Sequence, residues 1–155
     1  MIKKLAVICL IVLMAIGVMA FSKKPVEIPV EFTVVLDGQH SLIDTAAVML
    51  IDNTEDWTNI WHLAQGQIEP MPPVAEIDFQ HDMILAAFMG RKNSGGYRIE
   101  IAEITRTDNI LTVKINNYSA GGGMMLTVLT SPYQIVSIPK GDYRLKVEYC
   151  EQKEQ

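Results

Sequence analysis

The chain has 155 residues, of which 49% are hydrophobic and 20% are charged, so it is long enough for one folded domain and too apolar for a disordered one. Without the first 20 residues, which contain two lysines, the remainder holds 11 basic and 18 acidic residues and has a formal charge of −7. This negative charge, with no basic stripe to offset it, excludes nucleic acid as a partner because phosphates would be repelled.

The N-terminus has the three parts of an export signal. Two lysines precede an uncharged apolar run over residues 5–21, and Val18 and Ala20 supply small side chains at positions −3 and −1 of a cleavage site. The run has 17 residues, fewer than the roughly 20 of a membrane-spanning helix. We predict that residues 1–20 are a cleaved signal peptide, with an uncleaved membrane anchor as the alternative. The protein is then periplasmic, secreted or otherwise in the cell envelope, and it contacts the membrane only through this segment if it is uncleaved.

Composition divides the rest of the chain into three parts. Residues 21–29 contain four polar residues and two prolines, which predicts a tether. Residues 30–150 form a single predicted domain that is mostly β, and residues 151–155 form a charged tail. Cys150 is the only thiol after cleavage, and it is either a spare thiol on the last strand or a bridge to a partner.

Two short strands and one helix are predicted in the N-terminal half. Apolar side chains alternate over residues 30–36, which is the period of a half-buried strand, and a second apolar run spans residues 46–51. Asn53 or Thr54 then caps a helix that ends near Gly66. Its apolar residues recur at i, i+3, i+4 and i+7, and this stripe comprises Trp57, Ile60, Trp61 and Ala64.

From residue 77 onward the pattern is β. Residues 83–89 are almost all apolar, as expected for a central strand that is covered on both faces. The fold class is therefore α+β and mostly β, either an antiparallel sheet or a β-sandwich, with one helix in the N-terminal half and antiparallel strands after it. These later strands are predicted at residues 97–102, 111–116, 126–129, 134–138 and 143–149.

The sequence lacks the arrangements that are typical of an enzyme. Its three histidines, at positions 40, 62 and 81, do not have a metal-binding spacing, so no metal or other cofactor is predicted. A dyad of His81 and Asp82, or the nearby carboxylates of Glu76 and Asp78, would suit a small hydrolase, but no activated serine or cysteine accompanies them. We predict that the chain is not an enzyme, and the hydrolase stays the alternative.

A glycine-rich loop after the apolar strand is the strongest candidate for a contact with a partner. Its two adjacent glycines allow positive φ angles or close approach of another backbone, and the following tyrosine combines an apolar ring with a polar tip. A second candidate precedes a later strand, where a proline prevents pairing. The structural alternatives are a tight hairpin and the start of a strand. The predicted partner-binding residues are Asn93, Ser94, Gly95, Gly96, Tyr97, Ser131, Pro132 and Tyr133.

Several motifs occur in an order that is characteristic of one family. A helix with two tryptophans precedes a Pro-Pro connector, an apolar strand, a Gly-Gly-Tyr loop and a Ser-Pro-Tyr segment that leads into an isoleucine-rich strand. Over residues 48–148 the chain therefore resembles the C-terminal domain of the protease-complex subunit PrcB family. The motifs that carry the resemblance are Trp57 with Trp61, Pro72-Pro73, residues 83–90, residues 94–97 and residues 130–140.

This resemblance implies a non-catalytic subunit that binds and stabilises an exported protease. The expected partner is therefore another exported protein, such as a protease. Two positions differ from the family pattern: Ser94 stands where the family has threonine, and residues 121–125 lack the expected proline. Two other functions stay open, namely a protease inhibitor that inserts the 93–97 loop into an active site and a structural protein of the envelope.

Overall fold

The computed structural model describes residues 25–120 and 127–154, which form one helix and eight strands. The predicted signal peptide or anchor, residues 1–20, and the glycine stretch at residues 121–123 lie outside this part of the chain. Within it, no helix is long and apolar enough to span a membrane. In chain order the elements are β1 (Ile28–Pro29), β2 (Thr33–Gly38), β3 (Ala47–Ile51), α1 (Thr54–Gln65), β4 (Asp82–Phe88), β5 (Arg98–Thr107), β6 (Ile110–Ala120), β7 (Tyr133–Pro139) and β8 (Arg144–Glu154).

The strands form two four-stranded sheets that pack face to face. One sheet has the order β1-β5-β6-β8 and the other the order β2-β7-β4-β3. Helix α1 packs on the outer face of the second sheet, so the domain has three layers. The arrangement confirms the prediction of a mostly β fold with one helix in the N-terminal half. Of the two predicted architectures, a single sheet and a β-sandwich, the domain is the β-sandwich.

Strand β4 lies between two hydrophobic cores. Met83 and Leu85 point into the core between the sheets, whereas Ile84 and Phe88 point into the core beneath the helix. Every residue from 83 to 90 is buried. Because successive side chains of a strand alternate between its faces, a strand buried on both sides needs the uninterrupted apolar run that the sequence shows.

Two tryptophans attach α1 to the sheet beneath it. The helix begins after Asn53, whose side-chain oxygen accepts a hydrogen bond from the Asp56 amide at 2.9 Å. The predicted apolar stripe is confirmed, since Trp57 and Trp61 are buried. Their indole N–H groups donate to backbone carbonyls of the 66–81 connector at 2.8 and 3.1 Å. Each tryptophan therefore buries a large ring without leaving its polar N–H unpaired.

The prediction that the later strands are all antiparallel is wrong for β8, which pairs with β6 in parallel. The register is unbroken from Ile110 opposite Arg144 to Ala120 opposite Glu154. Between these strands the chain crosses to the other sheet as β7 and returns, so β6 and β8 run in the same direction. Alternation of apolar residues indicates which face of a strand is buried, but it carries no information about the direction of its neighbour.

Strands extend into both segments that were predicted to flank the domain. Ile28 and Pro29, at the end of the tether predicted at residues 21–29, pair with β5 as strand β1. The charged tail predicted at residues 151–155 is not separate from the domain, because β8 continues to Glu154 as an edge strand. Charged residues suit such a position, since an edge strand keeps one side in water.

The burial of β4 on both faces predicts that truncating a side chain on either face lowers the free energy of unfolding by a similar amount. We expect Ile84→Ala and Leu85→Ala each to lower the free energy of unfolding by about 2–5 kcal/mol, because each leaves a cavity in a different core. Val34→Ala, at a half-exposed position of β2, serves as the control and should change it by less than about 1 kcal/mol. Urea unfolding measures all three, and a small effect of either β4 variant would contradict the two-core arrangement.

Candidate functional site

Three connections meet at one end of the sandwich, which we call the loop end. They are residues 39–46 between β2 and β3, residues 89–97 between β4 and β5, and residues 127–132 before β7. The opposite end, which we call the turn end, contains the short β5–β6 and β7–β8 connections. Both predicted binding segments therefore lie at the loop end.

Gly90 brings the 89–97 connection against the 39–46 connection. Its φ angle is +72°, and a Cβ atom there would lie 2.7 Å from the Ala46 amide nitrogen and 2.8 Å from the Asp44 carbonyl oxygen. Only glycine fits this combination of backbone angle and contact. The next residue, Arg91, donates its amide to the Asp44 carbonyl at 3.0 Å. The two connections are thus joined through their backbones.

The 89–97 connection is also joined to the 127–132 segment. The amide and carbonyl of Lys92 exchange hydrogen bonds with those of Thr130 at 2.7 and 3.0 Å, as in an antiparallel ladder. The Thr130 hydroxyl donates to the Ser94 carbonyl at 3.0 Å. Residues 127–129, predicted as part of a strand, are not in one. Their apolar and β-branched side chains are typical of strands, but pairing begins only at Thr130, two residues before Pro132, which cannot donate to a ladder.

The segment 131–133 supports the loop end from within, whereas contact of its side chains with a partner stays a prediction. Ser131, Pro132 and Tyr133 are buried. The Tyr133 hydroxyl accepts a hydrogen bond from the Gln65 amide at 2.7 Å, and its ring stacks on Phe88 with centroids 5.9 Å apart. Burial, followed by the nearby Asp37 carboxylate, raises the pKa of Tyr133, so the phenol stays protonated.

The residues of the 93–97 loop are only partly accessible. Asn93 and Gly96 are exposed, whereas Ser94, Gly95 and Tyr97 are half-buried. Gly96 has a φ angle of +80°, as the glycine pair predicts. The Tyr97 ring packs against the core between the sheets, and the ammonium group of Lys92 lies 5.6 Å from its centroid. The loop therefore lies along the domain surface, with its exposed groups at residues 93 and 96.

Three exposed apolar side chains at the loop end escaped the sequence analysis, and we call them the apolar patch. Leu42, Val128 and Leu129 are 51%, 43% and 56% exposed. Leu42 and Leu129 line the same cleft, and Val128 lies beside Gly95. The two leucines lie together, and exposed apolar residues that cluster are typical of interaction sites, whereas single ones are common on any surface. The sequence signal that could have indicated this exposure is the occurrence of leucines in segments flanked by serine, threonine and aspartate.

The cleft between Leu42 and Leu129 combines this apolar surface with polar groups. Its volume is about 270 Å³, and its lining includes His40, Gln67 and an ion pair. In that pair the Arg91 guanidinium Nε lies 3.3 Å from the Asp44 carboxylate. A cleft of this size is small for an organic ligand, and it suits one or two side chains of a protein partner.

The histidine considered for catalysis lies at the other end of the domain. His81 Nδ1 lies 2.7 Å from the Asp78 carboxylate, and both side chains are exposed. The hydrogen bond to Asp78 raises the pKa of His81, and the same bond lowers the pKa of Asp78, whereas Asp82 contributes little. Among residues 25–120 and 127–154, no group of three or more histidine, cysteine or acidic side chains is arranged to hold a metal ion.

Comparison with known proteins identifies one family. Residues 83–139 match the family model described as PrcB C-terminal. This segment runs from β4 to the end of β7 and contains two of the three connections of the loop end. The match confirms the resemblance predicted from the sequence motifs. No curated protein and no solved structure matches the chain.

The joined backbones at the loop end predict that alanine substitution destabilises the fold at one glycine of the 89–97 connection and hardly at another. We expect Gly90→Ala to lower the free energy of unfolding by about 1–3 kcal/mol, because the new methyl group meets the backbone of residues 44–46 at a positive φ angle. Gly95→Ala should change it by less than about 0.5 kcal/mol, since its Cβ would lie 3.5 Å from Val128, an ordinary contact. Thermal unfolding of both variants tests the pair, and equal effects would contradict it.

The His81–Asp78 pair predicts a pH dependence with a definite sign. Because the folded-state pKa of His81 is raised, the pair stabilises the fold fully below the ordinary histidine pKa of 6.5, and this contribution is lost as the pH rises through the folded-state pKa. Asp78→Asn should lower the His81 pKa in an NMR titration. Asp82→Asn, the matched control, should lower it less, and the reverse order would favour a His81–Asp82 dyad.

Proposed function

We propose that this chain is an exported, non-catalytic accessory module that binds another extracytoplasmic protein, in the manner of a protease-complex subunit, and that the loop end is its contact surface. The observation that carries the proposal is the apolar patch of Leu42, Val128 and Leu129, held on connections that are hydrogen-bonded to one another. The match of residues 83–139 to the PrcB C-terminal family supports the link to a protease complex.

The backbone contacts at the loop end favour binding because they order its surface in advance. Residues 44, 92 and 130 belong to three different connections. Each of these residues forms a backbone hydrogen bond to a residue of another connection. Association costs free energy for every loop that must become ordered at the interface. A surface that is already ordered avoids most of this cost.

The chemistry of the patch resembles the centre and rim of a protein interface. Leu42 and Leu129 supply an apolar centre, and Arg91, Asp44 and His40 supply polar groups around it. Such interfaces concentrate their binding free energy in a few central side chains, while the polar rim excludes water and sets orientation. The cleft between the leucines would accept a side chain of the partner.

The path of the chain favours a loop end that is accessible to a partner. Strand β1 is antiparallel to β5 and pairs near the end of β5, so the chain enters the domain at the turn end. Only six residues, 22–27, separate the apolar N-terminal run from β1, and they span about 20 Å at most. If the N-terminal segment is retained as an anchor, the turn end stays close to the membrane and the loop end faces away from it.

The position of the 93–97 loop favours an accessory module over an inhibitor that inserts this loop into an active site. The Ser94 carbonyl accepts a hydrogen bond from Thr130, and the Tyr97 ring packs against the core. A loop held along the surface in this way has few groups free to enter an active-site cleft. The hydrogen bonds that join the described residues of the loop end favour an accessory role.

The proposal is tested by charging the apolar patch. The full chain and a Leu42→Glu, Leu129→Glu variant are used to capture proteins from an envelope extract of the source organism, and the affinity for any captured protease is then measured with purified proteins. We expect the variant to bind at least about tenfold more weakly, because two central apolar side chains become charged. Ile110→Glu, an exposed apolar position at the turn end, is the matched control and should bind normally.

The same purified pair separates the accessory role from the alternatives. An accessory subunit should extend the lifetime of the protease without blocking it, whereas an inhibitor should reduce its activity at equimolar amounts. Equal loss of binding in the Ile110 and Leu42/Leu129 variants would remove the loop end as the contact surface. Failure to retain any protease with the unaltered chain would leave a structural role in the envelope as the better interpretation.

A further inference from the structure

The outer edge of β8 is a long strand edge that pairs with nothing in the described part of the chain. The strand has 11 residues and lies at the end of its sheet, next to β6 only. Its register with β6 is continuous over the whole length, and it contains no proline. A regular strand of this length whose outer edge is unpaired is a ready template for pairing with another strand.

The other edges of the two sheets each carry a feature that hinders such pairing. Strand β1 has only two residues, one of which is proline. Strand β2 has an irregular register between Val34 and Leu36, and β3 has only five residues. Short strands, prolines and bulges are common ways of blocking an edge. Strand β8 has none of these backbone features, and only its charged side chains hinder pairing at this edge.

The hydrogen bonds of β8 determine which of its backbone groups face outward. The Arg144 amide donates to the Asn109 carbonyl at 2.8 Å, so the backbone of Arg144 points toward β6. Because backbone direction alternates along a strand and the register is continuous, every second residue from Arg144 also points toward β6. The residues whose N–H and C=O groups face away from β6 are Leu145, Val147, Tyr149, Glu151 and Lys153.

The charges on β8 are compatible with a second β8 in antiparallel orientation. A pairing centred on Tyr149 places no like charges opposite each other. Pairings centred one residue earlier or two residues later oppose Glu148 or Glu151 to itself. Like charges directly opposite each other destabilise a strand pair. Of the registers free of this repulsion, only the one centred on Tyr149 pairs all five outward-facing residues.

We propose that a second copy of this chain pairs with β8 in antiparallel orientation about Tyr149. The two four-stranded sheets then form one continuous sheet of eight strands across a twofold axis. The Tyr149 side chains, 53% exposed in the single chain, are brought against each other at the centre of the contact. The edge runs along the side of the sandwich from the turn end to the loop end, where Tyr149 lines a cleft with Ala46 and Lys92, and the pairing does not rest on the proposed function.

The register is tested with a cysteine pair. In the proposed pairing, Glu148 of one copy lies opposite Cys150 of the other at a non-hydrogen-bonded position, where Cα atoms are about 4.5 Å apart and a disulfide fits. The variant Glu148→Cys should therefore form a covalent dimer on mild oxidation. In the unaltered chain the two copies of Cys150 are diagonal neighbours about 7–8 Å apart, which is too far for a disulfide. The unaltered chain should therefore form no covalent dimer on mild oxidation.

Two variants serve as controls for this cross-link. Lys146→Cys lies on the same face of β8 but opposite Gln152 of the second copy, so it should not cross-link. Combining Glu148→Cys with Cys150→Ser should abolish the cross-link that Glu148→Cys forms. All chains are expressed at full length in an exporting bacterial host, purified in the form that the cell produces, and compared by non-reducing electrophoresis and mass spectrometry.

The non-covalent dimer is tested by analytical ultracentrifugation of the unaltered chain. Tyr149→Lys places two positive charges opposite each other at the centre and should raise the dimer dissociation constant at least tenfold, whereas Val34→Lys, on the edge strand β2, should leave it unchanged. A monomer at every concentration, together with no Glu148→Cys cross-link, would overturn the proposal. Cross-linking of the unaltered chain through Cys150 alone would overturn the register centred on Tyr149.

Discussion

The burial of β4 on both faces is the constraint on which the rest of the domain depends. A strand without a solvent-facing side requires a sheet against Leu85 and a helix against Ile84, and these two requirements produce the three layers. The loop end follows from the same strand, because the chain leaves β4 directly into Met89 and Gly90. The Met89 amide donates to the Pro132 carbonyl at 2.9 Å. The strand that is buried on both faces thus positions the proposed contact surface.

Periodicity made part of this structure predictable. The apolar run of β4 and the Trp57–Trp61 stripe of the helix were both identified, because each pattern depends on one element alone. The parallel pairing of β8 and the burial of Tyr133 were not, because they depend on distant parts of the chain: the partner of the Tyr133 hydroxyl is Gln65, 68 positions away. The exposure of Leu42 escaped prediction for the same reason, since leucine is usually buried and only the meeting of three connections leaves it in solvent.

The two proposed surfaces place different demands on the protein. The loop end relies on contacts among three connections, and its function needs only one copy of the chain. The β8 edge relies on backbone groups that any sheet offers, so its selectivity must come from the order of charges along the strand. In an antiparallel pair the two loop ends point in opposite directions.

The parallel pairing of β6 and β8 also has a mechanical consequence. The chain enters the domain at the turn end through β1, and β8 ends at the loop end, so the first and last strands leave the domain at opposite ends. A pulling force between these two points acts along the strands, and the 11 register pairs that join β8 to β6 are loaded together in shear rather than opened one after another. A domain held at one end and pulled at the other would therefore resist extension through its longest ladder.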